Sequence, residues 1–346
     1  MSSLIVEVVE VKEILDHPNA DRLQIAKVKG WEVAVQKDTL KTGDLVVYVP
    51  IDSMLPVELS DKLGVTKYLS HGRVRTAKLR GVYSQGLIID VKTLPELGDV
   101  VKKGDDVSEL LGITKYIPPS PPVHMSGKQR PAHPEFYQYT NIENIKNFPD
   151  VLVVGEDVII TEKIHGTNFR TGNLSNVDTG DYDIHVGSHK TNLVMNTGNV
   201  YWKVALMYDL MVEKYRFSPV VLKKILEHDM ILYGEIYGYG VQKLTYNLKD
   251  VDVAFFDLMV NGRYVNADDF KAFCKMHNLP MVPILYEGPW DNSLMDLANG
   301  NSTIASHIRE GIVIKPKIER YDRQVGRVAM KHLSEKYLLK DYGDLQ

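Results

Sequence analysis

A lysine follows an apolar segment in surroundings that suit a nucleophile. The segment EKIHGTNFR, residues 162–170, comes directly after the run VLVVGEDVIIT, which predicts a strand ending near Lys163. An amine held at a strand end can point into a cleft, where burial or nearby cations favour the neutral, nucleophilic form. His165 lies two positions on and shares the strand face, and Gly166 lets a phosphate approach the backbone closely. A strand-end lysine is also a common surface residue, so this segment alone leaves both interpretations open.

Four later segments add carboxylates, aromatic rings and further lysines. They are YGEIYG with Glu235, FFD with Phe255, Phe256 and Asp257, EGIVIKP with Glu310 and Lys315, and RVAMK with Lys331. Carboxylates bind hard divalent cations, an aromatic ring can stack on a base, and lysines bind phosphates. Each residue also has an ordinary interpretation, as a surface charge or a core ring. Together with Lys163 they are the groups that covalent nucleotidyl transfer needs to neutralise charge on the α-phosphate and on the pyrophosphate leaving group.

Alternating strands and helices must position these groups. The apolar patterns predict helices at 198–217 and 219–229, strands at 230–238 and 251–260, a helix after the cap candidate Asn266, and strands at 311–317 and 326–333.

The N-terminal part has a different pattern. Short β-rich runs separated by turn residues fill residues 4–90 and predict a small all-β barrel. Residues 71–81 contain four cations and no acid: Arg73, Arg75, Lys78 and Arg80. On a strand, Arg73 and Arg75 would share a face and form a cationic stripe. An ordinary solvated edge strand explains the pattern equally well.

A proline-rich stretch separates the two parts. In the stretch 117–136, the first sixteen positions contain five of the sixteen prolines of the chain. Proline removes backbone donors and fixes φ, so the stretch predicts an extended linker. The expected organisation is a module at 1–116, a linker at 117–140 and a second domain at 141–346.

Composition limits the classes of protein. At about 150 residues per domain, 346 residues indicate two domains. The 44% hydrophobic and 25% charged residues are typical of globular proteins, and the single cysteine excludes an intramolecular disulfide and a cysteine-based zinc site. We find no pattern of a signal peptide or membrane helix, and expect a soluble cytoplasmic protein. The net charge of -4 argues weakly against a nucleic-acid partner but permits a local basic face.

The order of the segments resembles the covalent nucleotidyltransferase superfamily of polynucleotide ligases and RNA capping enzymes. EKIHGTNF, GSHK (187–190), YGEIYG, FFD, EGIVIKP and AMK look like its motifs I, Ia, III, IIIa, IV and V, and K-I-H-G-T-N resembles the nick-sealing RNA ligase branch. HPNADRL (17–23) is similar to the signature of tRNA-binding OB modules. LRGVYSQGL (79–87) is similar to the fifth RNA ligase family, which joins an N-terminal OB module to a ligase domain.

This resemblance implies an α+β fold, with an OB-like β-barrel before a nucleotidyltransferase domain of ATP-grasp-like antiparallel sheets and flanking helices. It implies a monomeric ATP-dependent RNA ligase that uses Mg²⁺ or Mn²⁺. Lys163 would attack the α-phosphate of ATP to form lysyl-AMP and release pyrophosphate. The AMP would pass to an RNA 5′-phosphate, and a 3′-OH would displace it. The substrate would be a nicked RNA duplex or RNA/DNA hybrid with an RNA 3′-OH end.

The resemblance also implies roles for single residues. Lys163, His165, Glu310 and Lys331 would be catalytic. Glu162 would read the adenine amino group, Phe255 or Phe256 would stack on the base, Arg170 and Glu235 would hold the ribose, and Lys315 and Lys331 would contact phosphates. The metal would be held by Asn168, Glu310 and Glu235, with Asn168 also in the nucleotide site. Ser188, His189 and Lys190 would lie near the reacting RNA 5′ end, and Arg73, Arg75, Lys78 and Arg80 would bind RNA.

Two positions depart from the superfamily pattern. Motif V commonly has two lysines as K-x-K, and Ala329 occupies the first position, where Arg327 is a candidate replacement for the charge. His165 stands where DNA ligases usually carry aspartate, and imidazole is a poorer magnesium ligand than a carboxylate. Three alternatives stay open: a DNA ligase, a GTP-dependent mRNA capping guanylyltransferase and a non-catalytic RNA-binding protein. Capping enzymes place their OB domain after the transferase domain, which disfavours the second.

Overall fold

The structure is a computed structural model that describes residues 4–117, 125, 127–175, 179, 182–208, 210 and 229–340. Nearly all of the predicted helix at 219–229 and the second half of that at 198–217 lie outside these residues. The described residues form two compact units. The first holds those within 4–117, 142–152 and 333–340, and the second holds those within 125–141 and 153–332.

The first unit consists mainly of short strands. Its strands are β1 Glu7–Glu10, β2 Glu13–Asp16, β3 Leu23–Val28, β4 Trp31–Gln36, β5 Leu45–Val49, β6 Ser53–Met54, β7 Ala77–Leu79, β8 Val82–Ser84, β9 Leu87–Asp90, β10 Thr114–Lys115 and β11 Glu143–Asn144. Its α-helices are Val57–Lys62 and Glu335–Leu338, and its 3₁₀ helices are Thr66–Tyr68, Val91–Thr93, Pro95–Val100 and Ile145–Asn147.

Strand β5 organises this unit because it is apolar on both faces. It pairs antiparallel with β1 and with β9, whereas β2, β3 and β4 form a separate antiparallel sheet. Val46 and Tyr48 belong to the core cluster around Trp31, and Val47 and Val49 belong to a second cluster. A continuous apolar run is typical of a strand buried on both sides. The N-terminal part is therefore β-rich, as the sequence predicts.

The turn HPNADRL is fixed to the LRG segment of the same unit. The buried His17 ring contacts the carbonyl of Leu79 through Nε2 at 3.1 Å, and the Asn19 amide donates to the carbonyl of Arg80 at 3.0 Å. The Asn19 backbone N–H donates to His17 Nδ1 at 3.1 Å. With Nδ1 accepting, Nε2 carries the proton and donates to Leu79. The two motifs therefore meet, and their polar residues hold the β7–β8 hairpin.

The described residues of the second unit form two larger sheets and a two-stranded sheet. Its strands are β12 Asp157–Lys163, β13 Thr167–Ser175, β14 Tyr182–Gly187, β15 Met230–Gly238, β16 Val251–Val260, β17 Arg263–Tyr264, β18 Ile284–Pro289, β19 Gly311–Pro316, β20 Tyr321–Asp322, β21 Gly326–Arg327 and β22 Met330–Leu333. One larger sheet has the order β14-β13-β15-β16-β17, the other includes β22-β19-β12-β18, and β20 pairs with β21. The α-helices are Val200–Met207 and Ala267–His277, and Asn292–Ala298 is a 3₁₀ helix. No helix within the described ranges is long and apolar enough to cross a membrane.

The five-stranded sheet of β13 to β17 has one face in the core and one face available for a site, because side chains alternate along each strand. Leu232 and Ile236 of β15 pack into the main core with Val253 and Phe255 of β16. Glu235, between them, points to the opposite face because successive side chains alternate. The α+β class and the sheet-rich second part are thus as expected.

The described part of the predicted linker packs against the second unit. Phe136 and Tyr139 are buried, Phe136 beneath the Arg170 guanidinium and Tyr139 against Asp257. Prolines exclude a segment from helices and central strands, but they do not prevent nearby aromatic side chains from packing into a core. Residues 118–124 and 126 of the stretch lie outside the described residues. The boundaries of module, linker and second domain stay predictions.

The His17 contact gives a first testable prediction. In His17→Ala, the hairpin loses one buried hydrogen bond, worth about 1 kcal/mol. Amide hydrogen exchange of residues 77–84, followed by mass spectrometry, should accelerate about fivefold if local opening controls it. Asp21→Ala, which changes an exposed residue of the same turn, is the control. Equal exchange in both variants and the wild type would show that the turn does not hold the hairpin.

Candidate active site

The end of β12 meets the beginning of β19, and this pairing brings a lysine and a glutamate together. Lys163 is opposite Gly311 in the antiparallel register, so Glu310 lies beside it. Lys163 Nζ is 2.7 Å from Glu310 Oε1, with 22% and 11% of the two side chains exposed. His165 Nδ1 is 3.6 Å from Glu310 Oε2. The lysine, histidine and glutamate that the sequence singles out therefore form one partly accessible cluster.

Burial and neighbouring charges separate the pKa values of two carboxyl groups. Burial acts to raise the pKa of Glu310, but Lys163 and His165 outweigh it and lower that pKa to about 2. Burial raises the pKa of Glu235 to about 8, with the negative charge of Glu310 adding to the effect and Lys163 opposing it. At neutral pH Glu310 is ionised, whereas Glu235 retains its proton unless a cation binds beside it.

Asn168 and Glu235 are directly opposite on β13 and β15, on the same sheet face. The side-chain oxygen of Asn168 is buried and has no hydrogen-bond partner among the described residues. An unsatisfied amide oxygen beside a carboxyl group, with the ionised Glu310 in the same site, suits a hard divalent cation such as Mg²⁺ or Mn²⁺. The three residues predicted to hold the metal thus fit that group by chemistry.

Glu162 precedes the lysine and has only one of its carboxylate oxygens satisfied. The residue is 1% exposed, and Thr303 donates to its Oε2 from both the backbone N–H and the hydroxyl, each at 2.8 Å. Oε1 is buried without a hydrogen-bond partner among the described residues. A buried acceptor in this state is available to a ligand donor.

The two phenylalanines of FFD differ in environment because of a β-bulge. Tyr233 pairs with Asp257 and Gly234 pairs with Phe255, so Phe256 is the extra residue of β16. Phe255 is fully buried in the core beside Phe169. Phe256 keeps some exposure and contacts the edge of the Tyr139 ring at 4.8 Å. Phe256, not Phe255, has surface left for a base.

A buried charge cluster centres on Asp257. Its Oδ1 is 2.9 Å from Lys315 Nζ, and its Oδ2 accepts from Arg327 at 2.8 Å and from the Tyr139 hydroxyl at 2.7 Å. Arg327 also pairs with Glu319 at 2.5 Å. Burial acts to raise the pKa of Asp257, but Arg327 and Lys315 outweigh it and lower that pKa. The Arg327 charge is therefore already offset inside the protein, beside the buried Ala329 of motif V.

Arg170 holds the GSHK segment. It is buried, and its guanidinium donates to the carbonyl of Ser188 at 2.9 Å and to that of Phe136. Burial lowers the pKa of Arg170 to about 10. Ser188 and His189 are partly exposed and Lys190 is exposed. The contacts of Arg170 show a residue that positions this segment, whereas its predicted ribose contact stays a prediction.

Sequence reasoning missed Tyr246, which supports the turn after the lysine. Its hydroxyl accepts the backbone N–H of His165 at 2.7 Å, and the His307 ring packs edge-on against it at 4.5 Å between centroids. Tyr246 and Asn247 both have left-handed backbone conformations, with φ of 53° and 59°. Such strain in bulky residues is typical of functional sites. Thr303, Tyr139 and Glu319 were also missed, and no local pattern marked them.

The four cations predicted to bind RNA lie in the first unit and differ in availability. Only Ala77–Leu79 of residues 71–81 forms a strand, so the predicted continuous strand is wrong before it. Arg73 pairs with Asp52 at 2.6 Å and covers the Tyr116 ring, which offsets part of its charge. Arg75 is partly exposed, and Lys78 and Arg80 are exposed. Their contact with RNA stays a prediction.

Lys331 lies on β22, next to β19 in the sheet, and is partly exposed. Lys315 and Lys331 therefore occupy adjacent strands of the sheet that carries Lys163. This placement is compatible with their predicted contacts with phosphates.

Comparison with known proteins identifies both parts of the chain. A model of an OB-fold domain matches residues 5–91, and a search of curated proteins returns no match. A mutant of the Naegleria gruberi RNA ligase with ATP and Mn is similar with a TM-score of 0.80 and 26% identity, covering 97% of this chain and 98% of that one. The Naegleria gruberi RNA ligase with PPi gives a TM-score of 0.81 and 26% identity, covering 98% of each chain. A mutant of that ligase with AMP and Mn gives a TM-score of 0.80 and 26% identity, covering 97% of this chain and 98% of that one.

The RNA ligase family model matches residues 156–333, which include Lys163, Glu235, Glu310 and Lys331. The DNA ligase and capping enzyme alternatives are therefore disfavoured. With this match over half of its length, and with the site assembled as above, the chain belongs to the RNA ligase family.

Proposed function

We propose that this protein is an ATP-dependent RNA ligase that seals 3′-OH/5′-phosphate nicks through lysyl-AMP and RNA-adenylate intermediates. The observation that carries the proposal is the Lys163 amine held 2.7 Å from Glu310 at a partly exposed strand end. The ATP, AMP and PPi present in the Naegleria gruberi RNA ligase structures support the nucleotide assignment.

In the first step Lys163, the cationic partner of Glu310, releases a proton to solvent, and the neutral nitrogen then forms a bond to the α-phosphorus of ATP. The bond between that phosphorus and the bridging oxygen breaks, pyrophosphate leaves with the bonding electrons, and the nitrogen releases a second proton to solvent. Glu310 fixes the position of the amine. A carboxylate whose pKa is about 2 is a weak base, so Glu310 is assigned to orientation and not to proton removal.

A divalent cation fits the oxygens of Glu310, Asn168 and Glu235. When bound, Mg²⁺ or Mn²⁺ would supply positive charge to stabilise the phosphate oxygens in the transition state. The raised pKa of Glu235, about 8, means that this residue must lose its proton before it can bind a cation at neutral pH.

Other residues bind the nucleotide. Glu162 accepts from the adenine amino group through Oε1, and Phe256 stacks on the base because Phe255 has no exposed surface. Lys315 and Lys331 face the phosphates. The Lys315 amine is held in place by the Asp257 carboxylate and by the Phe256 carbonyl, each at 2.9 Å.

The RNA contacts are assigned by segment. Ser188, His189 and Lys190 meet the RNA 5′-phosphate, which receives AMP before the 3′-OH displaces it. In the module at 1–116, the exposed Lys78 and Arg80, with the partly exposed Arg75, supply positive charge that binds RNA phosphates. Residues 117–140 connect this module to the adenylyltransferase domain at 141–346.

Covalent labelling tests the first step. Wild-type protein incubated with α-³²P-ATP and Mg²⁺ should retain label after denaturation, and Lys163→Ala should retain none because the attacking nitrogen is missing. Lys249→Ala, which removes an exposed lysine of the same unit, should label normally. Unlabelled wild-type protein, or a labelled Lys163→Ala variant, would contradict the proposal. GTP in place of ATP tests the capping alternative.

Sealing assays test the substrate. Nicked duplexes should be compared with RNA or DNA in each of three positions: the 3′-OH strand, the 5′-phosphate strand and the template. The proposal expects joining of RNA 3′-OH ends and at least tenfold slower joining of DNA 3′-OH ends. Equal joining of both would indicate a ligase without selectivity for RNA. RNA binding without label or joining would favour the non-catalytic alternative.

The Asp257 cluster predicts a change in stability. Asp257→Asn removes the negative charge shared by Lys315 and Arg327, and leaving buried charges uncompensated costs about 3–5 kcal/mol. The folded-state pKa of Asp257 is lowered. Its contribution to the free energy of unfolding is therefore fully present above the unfolded pKa of about 3.9, and it is lost as pH falls through the lower folded-state pKa. Urea unfolding at pH 7 should therefore show a lower midpoint.

Asp252→Asn is the matched control on the same strand. Asp252 is partly exposed and accepts from the Tyr208 hydroxyl, so this variant should lose about 1 kcal/mol or less. If the two variants unfold at the same urea concentration, Asp257 does not stabilise the fold through its ion pairs.

A further inference from the structure

Thr303 is the sole described hydrogen-bond donor to the Glu162 side chain. Both of its donors, the backbone N–H and the hydroxyl, approach the same oxygen, Oε2, at 2.8 Å. The other oxygen, Oε1, is buried without a hydrogen-bond partner among the described residues. Leaving a buried acceptor unsatisfied costs about 1–3 kcal/mol, and more when it is charged. Oε2 of Glu162 is therefore held by Thr303, whereas Oε1 is left to accept a hydrogen bond from a ligand.

The loop that carries Thr303 is held by its own bonds. Asn301 and Ile308 form an isolated antiparallel bridge, and the Ser302 N–H donates to the His307 carbonyl at 2.8 Å. The Arg309 guanidinium donates to the Asn301 carbonyl at 2.8 Å. Since these contacts do not involve Glu162, the position of Thr303 is set independently and can impose an orientation on the carboxylate. The same loop leads directly into Glu310.

A carboxylate held in this way can distinguish purines by the group at position 6. An ionised carboxylate only accepts hydrogen bonds, and position 6 of adenine carries an amino donor, whereas guanine and hypoxanthine carry an oxygen acceptor there. In a buried site, two facing acceptors leave both polar groups unsatisfied. A carboxylate that can rotate or take a proton can adapt to either purine. A carboxylate clamped on Oε2 presents Oε1 as a fixed acceptor.

We propose that Thr303 is a specificity-determining residue, which clamps Glu162 so that the site accepts 6-amino purines and rejects 6-oxo purines. The inference rests on the proposed function, in that it takes ATP as the nucleotide and Glu162 as the residue that reads its base. Thr303 acts through Glu162 and is a positioning residue.

The test compares ATP with inosine triphosphate, which has an oxygen in place of the amino group at position 6 and, as its 6-oxo form requires, a proton on N1. The ratio of kcat/KM values for covalent labelling should fall about tenfold in Thr303→Val, mainly through a higher KM for ATP, because valine keeps the shape and the N–H but loses the hydroxyl. Thr303→Ser keeps the hydroxyl and should keep the wild-type ratio. Ile304→Ala, in the same loop, should also keep it.

A binding measurement separates this inference from the proposed reaction. Calorimetric titration of full-length Lys163→Ala and Lys163→Ala/Thr303→Val with ATP or inosine triphosphate, in Mg²⁺, reports base selectivity without the covalent step. A loss of selectivity on adding Thr303→Val supports the clamp even if no protein is ever labelled, an outcome that would overturn only the proposed function. If Thr303→Val weakens both nucleotides equally, or leaves the ratio unchanged, the clamp is overturned. A lower melting temperature with an unchanged ratio would assign Thr303 a structural role only.

Discussion

The contact between Lys163 and Glu310 depends on one strand pairing. The antiparallel register of β12 and β19 puts Lys163 opposite Gly311, so the residue before that glycine lies against the amine at 2.7 Å. A slip of one residue would turn the side chains of one strand to the opposite face relative to those of the other. The apolar residues of both strands, such as Ile160 and Ile314, fix the register because they must stay in the core. Hydrophobic packing therefore determines where the nucleophile is held.

Three carboxyl groups of the second unit have their charge offset or removed locally. Glu310 is matched by Lys163, and Asp257 by Lys315 and Arg327, whereas Glu235 avoids an uncompensated charge by retaining its proton. The net charge of -4 is a poor guide to a nucleic-acid partner, because it sums buried and exposed charges alike and does not show where the exposed cations lie. Exposed cations decide whether RNA can bind, and Arg73 shows that even a basic segment loses part of its charge to a neighbour such as Asp52.

The sequence predicted the groups at the site because they lie on or next to predicted strands, in an ordered series of motifs. It did not predict which of Phe255 and Phe256 is available, since that depends on a bulge created by pairing between β15 and β16. Nor did it predict the hydrogen bond from the buried Tyr139 of the predicted linker to Asp257, or the bonds from Thr303 to Glu162. These contacts join residues more than a hundred positions apart, and no local periodicity records them. Expectations from local pattern held where the backbone stayed regular, and failed in part for residues 71–81, where only three residues form a strand.

His165 shows how a substitution in a motif can be compensated by its neighbours. A carboxylate at this position would lie near Glu310 and raise its pKa, since like charges disfavour ionisation of both. With imidazole there, Glu310 has two partners that favour its ionised form, and its pKa is about 2. With histidine at position 165 the site lacks one carboxylate ligand for a metal, but Glu310 is more strongly ionised. Such an exchange is tolerable because Asn168 and Glu235 still offer oxygens to a cation, and because the N–H of His165 is anchored by Tyr246. Because this bond is made by the main-chain N–H, Tyr246 anchors the backbone of the turn whatever side chain residue 165 carries.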